Sequence, residues 1–220
     1  MNRKRIPVIV APAFVNGTGA IREMARKGAH VVAIDSGCDA PGLHSRHARE
    51  SIVLPSPCER PGAFAEFLSA RKDLAGGIVI PTDDYYLREI YEHQHELGKR
   101  YRLCFSPGDA HKTALHKDLA DAAAAGAGVA VPRSVPLSSE CELEAAAKEV
   151  GLPAIVKPVF SISFHRSFGQ KVFRVGNIDE LTQAVKKVSQ SGQEVILQEI
   201  IPGGDEAVFV HAAYWLSLIH

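Results

Sequence analysis

Charge of one sign is not in excess here: 25 lysines and arginines balance 25 aspartates and glutamates across 220 residues. No net field therefore draws the chain to nucleic acid or to an anionic membrane surface. Paired cysteines are missing as well. Cys38, Cys58, Cys104 and Cys141 are widely spaced and form no C-x-x-C, so zinc-ribbon and dithiol chemistry is disfavoured and buried, reduced thiols are expected. No apolar run reaches the roughly twenty residues of a membrane span. Basic Met1-Asn2-Arg3-Lys4-Arg5 does precede an apolar stretch, and Ala11-Pro12-Ala13 mimics an export cleavage site. A helical pattern over 21–28 and a strand pattern over 29–34 follow at once, so residues 6–15 read better as the lead-in to a buried first strand. A cytoplasmic protein with no membrane or nucleic-acid partner is expected. The spacing G-x-G-x-x-G is absent too: Asn16-Gly17-Thr18-Gly19 does not supply it, which leaves a substrate-side loop or a plain turn in place of an NAD site. His44 with His47, and His93 with His95, have spacings a metal could use, yet no cysteine or carboxylate set completes a site. No metal site is expected within the chain.

What is present is ample core material, 46% hydrophobic residues, arranged in two rhythms. Strands at 7–10, 30–34, 52–54, 77–80 and 101–105 alternate with helices at 21–28, 63–68 and from Asp83 or Asp84 to 97. This order predicts an open parallel α/β sheet. From 109 the pattern changes. An alanine-rich helix over 109–125 is broken by Gly126-Ala127-Gly128. A helix capped by Ser138 or Ser139 runs to 150, strands follow at 154–156 and 171–175, Asn177 caps a helix to 189, and a further strand spans 195–198. Helices packed on a short antiparallel sheet are the expectation.

Two lysines and a Gln-Glu pair stand out in the second half. Lys117 lies in Ala114-Leu115-His116-Lys117-Asp118-Leu119. Lys157 lies in Pro153-Ala154-Ile155-Val156-Lys157-Pro158, and Gln198-Glu199 in Val195-Ile196-Leu197-Gln198-Glu199-Ile200-Ile201-Pro202-Gly203-Gly204. A lysine between an apolar strand and a proline is costly to bury unless an anion meets it, because a compact ammonium loses much of its hydration. Phosphate is the obvious anion. An apolar strand running into Gln-Glu and a Pro-Gly-Gly turn could offer main-chain N–H and C=O groups to an adenine edge. Plainer readings exist: Lys117 as an exposed helix lysine, Lys171 as an outward-facing strand lysine, and Asp205 and Glu206 as a charged turn before a strand at 207–215.

The ordered set resembles the ATP-grasp superfamily, most closely its carboxylate-amine ligase-like members. The resemblance implies a Rossmann-like preceding domain with an open parallel sheet over 1–107. A linker helix and α+β small (lid) subdomain over 108–198 would follow, then the incomplete start of a large subdomain over 199–220. It also implies that Lys117 and Lys157 contact ATP phosphates and that Gln198, Glu199, Ile200 and Ile201 form the adenine hinge. Asp205 or Glu206 would bind the ribose hydroxyls. Residues 161–170, with Ser161, Ser163, Ser167 and Gly169 for small donors and His165, Arg166 and neighbouring Lys171 for cationic contacts, would be a loop closing over the nucleotide. That loop departs from the glycine-rich form, having only Gly169, and a solvated hairpin is its plain reading. Thr82-Asp83-Asp84 resembles a preceding-domain motif, although helix capping explains it.

On this resemblance the complete protein would use ATP and Mg²⁺ to activate a carboxylate as an acyl phosphate for attack by an amine. Small-molecule carboxylate and amine are its expected partners, and a homodimer is left open. The family carries its magnesium ligands on strands beyond the hinge, whereas this chain stops at Leu218-Ile219-His220. A truncated, inactive fragment with metal ligands beyond residue 220 is the expectation. Two alternatives are a bicarbonate-activating carboxylase or carbamoyl-phosphate-type subunit and a non-catalytic nucleotide-binding module.

Overall fold

The computed structural model describes residues 5–104, 110, 113, 116–137, 140–159, 168–190 and 194–209. The chain forms two compact units, Met1–His111 and Lys112–His220. In the first, β-branched and apolar runs form β1 (Pro7–Ala11), β2 (His30–Asp35), β3 (Glu50–Val53), β4 (Ile78–Pro81) and β5 (Arg102–Leu103). All pair in parallel, in the order β3-β2-β1-β4-β5. The chain winds outward from β1 in both directions, so the carboxyl end of β1 and its neighbours forms a topological switch point, where such sheets place ligands.

Alternate residues of the strands feed two cores. Ile9, Val32, Ile34 and Val79 pack with α2 (Ala63–Ala70), α3 (Asp84–Glu92) and α4 (Gln94–Leu97). Val8, Val10, Val31 and Ala33 pack with Ile21 of α1 (Val15–Arg26). Covering on both faces is the usual condition of a parallel sheet. Asn16-Gly17-Thr18-Gly19 is neither a turn nor a loop: it lies inside the first turns of α1. There a Cβ on Gly17 would strike the carbonyl of Pro12. The helix expected to run to 97 is split at His93, and its start is capped by Asp83, whose Oδ1 accepts the Tyr86 N–H at 2.9 Å.

The second unit contains α5 (Lys117–Gly126), β6 (Ser134–Leu137), α6 (Leu143–Val150), β7 (Ala154–Pro158), β8 (Phe173–Val175), α7 (Ile178–Ser189) and β9 (Val195–Glu199). The sheet is antiparallel with order β6-β9-β7-β8. Its core is one-sided, Ala154, Val156, Val175, Val195 and Leu197 packing with α6 and α7. Asn177 caps α7 as its sequence signals, accepting the Glu180 N–H at 2.9 Å, while Glu180 reaches back to the Gly176 N–H at 2.7 Å.

Several expectations are corrected. The alanine-rich helix does not run unbroken from 109, because His116 is extended (φ −101°, ψ 114°) and α5 begins at Lys117. α6 starts at Leu143 after a 3₁₀ turn, Glu140–Glu142, and the proposed caps Ser138 and Ser139 lie outside the described residues. Lys171 sits in a bend ahead of β8 and not within it. Residues 207–209 are not strand, since Asp205–Ala207 is a 3₁₀ turn. All four cysteines are exposed, against the expected burial. No helix among the described residues is long and apolar enough to cross a membrane.

Candidate functional site

The period of two along β7 divides its side chains between faces. Ala154 and Val156 enter the core, so Ile155 and Lys157 point to the opposite face. On β9, Val195 and Leu197 enter the core, so Ile196 and Gln198 share that opposite face. The register sets Lys157 directly across from Ile196 and Ile155 across from Gln198. The lysine predicted at a strand end and the glutamine predicted at a hinge thus line one surface of two adjacent strands.

Neither is settled by its protein neighbours. Burial lowers the pKa of the half-buried Lys157 ammonium, and the nearby Asp121 carboxylate opposes that shift. Gln198 is only 6% exposed, and its Nε2 has no hydrogen-bond partner among the described residues. The same holds for Oδ2 of Asp121. Orphaned polar atoms of this kind are costly unless a ligand or water meets them. Asp121 was missed in the sequence. Its one signal is helical spacing, four residues beyond Lys117 in α5.

The Glu199 side chain is engaged by Arg133, which donates from its main-chain N and from Nε, each at 2.8 Å. Its main-chain N–H is also taken, donating to the Arg133 carbonyl at 2.9 Å. Ile200 is partly buried and Ile201 is exposed. Lys117 opens α5, but its side chain lies outside the described residues, as do Ser161 and the side chain of Asp205. Glu206 and Lys171 are exposed.

The first unit has its own unsatisfied cluster, at the carboxyl ends of β2 and β4. Asp35 is 7% exposed. Its Oδ1 accepts the Gly37 N–H at 3.0 Å, while Oδ2 is buried without a partner among the described residues. The hydroxyl of Tyr86, a residue 2% exposed, is likewise unpartnered, and burial together with the Asp35 and Asp83 charges pushes its pKa up. Asp83 is pushed up to about 6, first by burial and then by Asp84 and Asp35. Thr82 is already committed, donating to the Pro12 carbonyl at 2.7 Å. Among the described residues no three His, Cys, Asp or Glu side chains come together as a metal site would require.

No family model matches the chain. Curated relatives do. The formate-dependent phosphoribosylglycinamide formyltransferase of Anaeromyxobacter dehalogenans (strain 2CP-C) is 28% identical over 183 residues, 82% of this chain and 44% of the relative. The enzyme of that name from Chlorobaculum tepidum is 30% identical over 182 residues, 80% of this chain and 43% of the relative. The chain thus spans less than half the length of these relatives. Among solved structures, L-amino acid ligase from Bacillus licheniformis matches with TM-score 0.67 and 18% identity, over 92% of this chain and 46% of that one. The biotin carboxylase domain of Hydrogenobacter thermophilus 2-oxoglutarate carboxylase, solved with MgADP, ADP and bicarbonate, matches with TM-score 0.71 and 17% identity, over 89% of this chain and 44% of that one. In sequence and in fold, this chain resembles the ATP-grasp superfamily, and within it the carboxylate-amine ligase-like proteins.

Proposed function

We propose that the second unit holds an adenine nucleotide against the face of β7 and β9 opposite the core formed with α6 and α7. The intact protein, on this reading, is an ATP-dependent carboxylate-amine ligase. The observation that carries it is the placement of Lys157 and Gln198 on one face, with the ammonium partly desolvated and the glutamine Nε2 unpartnered. An anionic ligand repays the desolvation of Lys157, and a purine or ribose acceptor satisfies Gln198. Lys117 and Lys157 would hold phosphates, with Ser161 and Lys171 on the segment closing over them. Gln198, Glu199, Ile200 and Ile201 would line the base, the last three through their main chain, and Asp205 or Glu206 would meet the ribose. Domain roles follow: 1–107 precedes the ATP-grasp part, 108–198 is its lid, and 199–220 begins its large subdomain.

The chemistry is a double displacement. A substrate carboxylate oxygen attacks the γ-phosphorus and ADP leaves; an amine then attacks the acyl phosphate carbon, and phosphate leaves with the C–O electron pair and takes up the proton the amine nitrogen loses. Lysine ammonium groups act by position and charge, which are the main demands of phosphoryl transfer. Magnesium would neutralise developing phosphate charge, but the described residues bring no ligand set together for it. The amine-bearing substrate is assigned to the carboxyl ends of the first unit's strands, where a cationic donor would satisfy the orphaned Oδ2 of Asp35. The biotin carboxylase neighbour, solved with bicarbonate, favours one other reading, bicarbonate as the activated acid.

Phosphate release from Mg·ATP by the intact protein, across carboxylates including bicarbonate and with or without amines, tests the reading. Release that requires both a carboxylate and an amine is expected. Release driven by bicarbonate alone would replace it with the carboxylase reading, and none under any pairing would leave only a binding module.

A further inference from the structure

Arg133, the residue before β6, grips Glu199 at the end of β9 by several bonds. Besides the main-chain N–H and Nε bonds to the carboxylate, Nη2 lies 2.8 Å from Oε2. Glu199 returns the contact through its own amide, which donates to the Arg133 carbonyl at 2.9 Å. Nη1 reaches the Glu149 carbonyl in the last turn of α6 at 3.4 Å. These bonds hold the Glu199 carboxyl below its ordinary pKa, the Arg133 main-chain N–H first among them.

Side-chain exposure decides what the pair can do. Arg133 is 64% exposed and Glu199 23%, and ion pairs that open to water contribute little to stability. Direction is another matter, because a forked guanidinium fixes a carboxylate geometrically. On the β7 side the ladder ends with Ala154 opposite Glu199. Beyond it, Ile200 and Ile201 lie outside the strand. The Arg133 clamp is therefore the last contact on the β6 side before the main chain leaves the strand.

We propose that Arg133 is a positioning residue: acting through Glu199, it sets the direction in which the main chain of Ile200 and Ile201 leaves β9, and so the recognition of the purine base. The role rests on the nucleotide reading above. It goes beyond that reading in assigning base selectivity to a residue outside the strand that would touch the base. Removing the clamp should affect ligands that carry a base and spare those that carry only phosphate.

Calorimetric titration with ADP, inosine diphosphate and tripolyphosphate separates these. Arg133→Met should weaken ADP about tenfold, narrow the preference for ADP over inosine diphosphate, and leave tripolyphosphate within about twofold. Arg133→Lys should restore part of the loss, since charge returns without the fork. Glu199→Gln should weaken ADP similarly, and the Arg133→Met/Glu199→Gln pair should be no worse than either alone. Unchanged ADP affinity, or equal losses for ADP and tripolyphosphate, would overturn the role. A wild-type chain that binds tripolyphosphate but not ADP would overturn the base assignment, whereas one that binds neither would overturn the nucleotide reading itself.

Discussion

The two units spend their unsatisfied polar groups in different places. In the parallel sheet both faces are buried under helices, so polar chemistry is confined to the strand ends, where Asp35, Asp83 and Tyr86 gather. In the antiparallel sheet one face packs on α6 and α7, and Lys157 and the buried Gln198 stand on the other. The charges differ in sign as well. Carboxylates dominate the first cluster and suit a cationic donor, whereas the second sets an ammonium and the Gln198 amide donor beside the single Asp121 carboxylate. Sheet type thus fixes where a ligand can approach, and the local charge fixes which kind.

The comparison can be tested first where it predicts no ligand at all. Glu89 is buried and acidic, yet it is fully used: its carboxylate accepts the N–H groups of Gly62 and Ala65 at 3.0 and 2.8 Å, capping α2, whose N-cap Gly62 has no side chain. Glu89→Ala should cost about 2–4 kcal/mol in urea unfolding, since one buried and one half-buried donor lose their partner. A loss under about 0.5 kcal/mol would class Glu89 with the ligand-seeking groups, because surface-like changes fall in that range. Lys157→Met should reverse the pattern. Stability should hold or rise, because a partly desolvated ammonium is removed, while tripolyphosphate affinity should fall at least about tenfold, more than for Lys117→Ala. Equal affinities in all three proteins would remove Lys157 from the site.

Asp83 gives a smaller effect with a definite sign. Its folded pKa of about 6 lies above its ordinary 3.8, so the folded state binds the extra proton and stability falls as pH rises between these values. Above about pH 6 the penalty is complete. Asp83→Asn, which can still cap α3, should flatten that slope and raise the melting temperature by a few degrees at pH 7. An unaltered slope would place the titration elsewhere. Least affected should be Asn177→Ala, a cap whose side chain bonds only within its own helix start, at about 1 kcal/mol with no change in ligand affinity.

Much of this was legible in the sequence where local signals agree with tertiary packing. The strand-helix alternation, a helix start at Asp83 or Asp84, the cap at Asn177, and the strand carrying Lys157 are cases of that kind. β6 was not legible. Pro136 within Ser134-Val135-Pro136-Leu137 reads as loop, and it is tolerated because β6 is an edge strand with one free side. Helix propensity also hid the break at His116, since an alanine-rich run carries no stop signal there. Of the site, Lys157 and Gln198 could be singled out from their strand contexts. Their common face could not, because it depends on the β7–β9 register, nor could Arg133, whose partner lies 66 residues away.

Side-chain resonances of Lys157 and Gln198, followed by NMR as ADP is added, test the central claim most directly. The account predicts saturable shifts at the Lys157 Cε and Gln198 Nε2 signals, abolished at the lysine site in Lys157→Met, with Asp35 and Asp83 carboxyl signals unmoved. Shifts confined to Asp35 and Asp83, or none at Lys157 and Gln198 under saturating ADP, would contradict it.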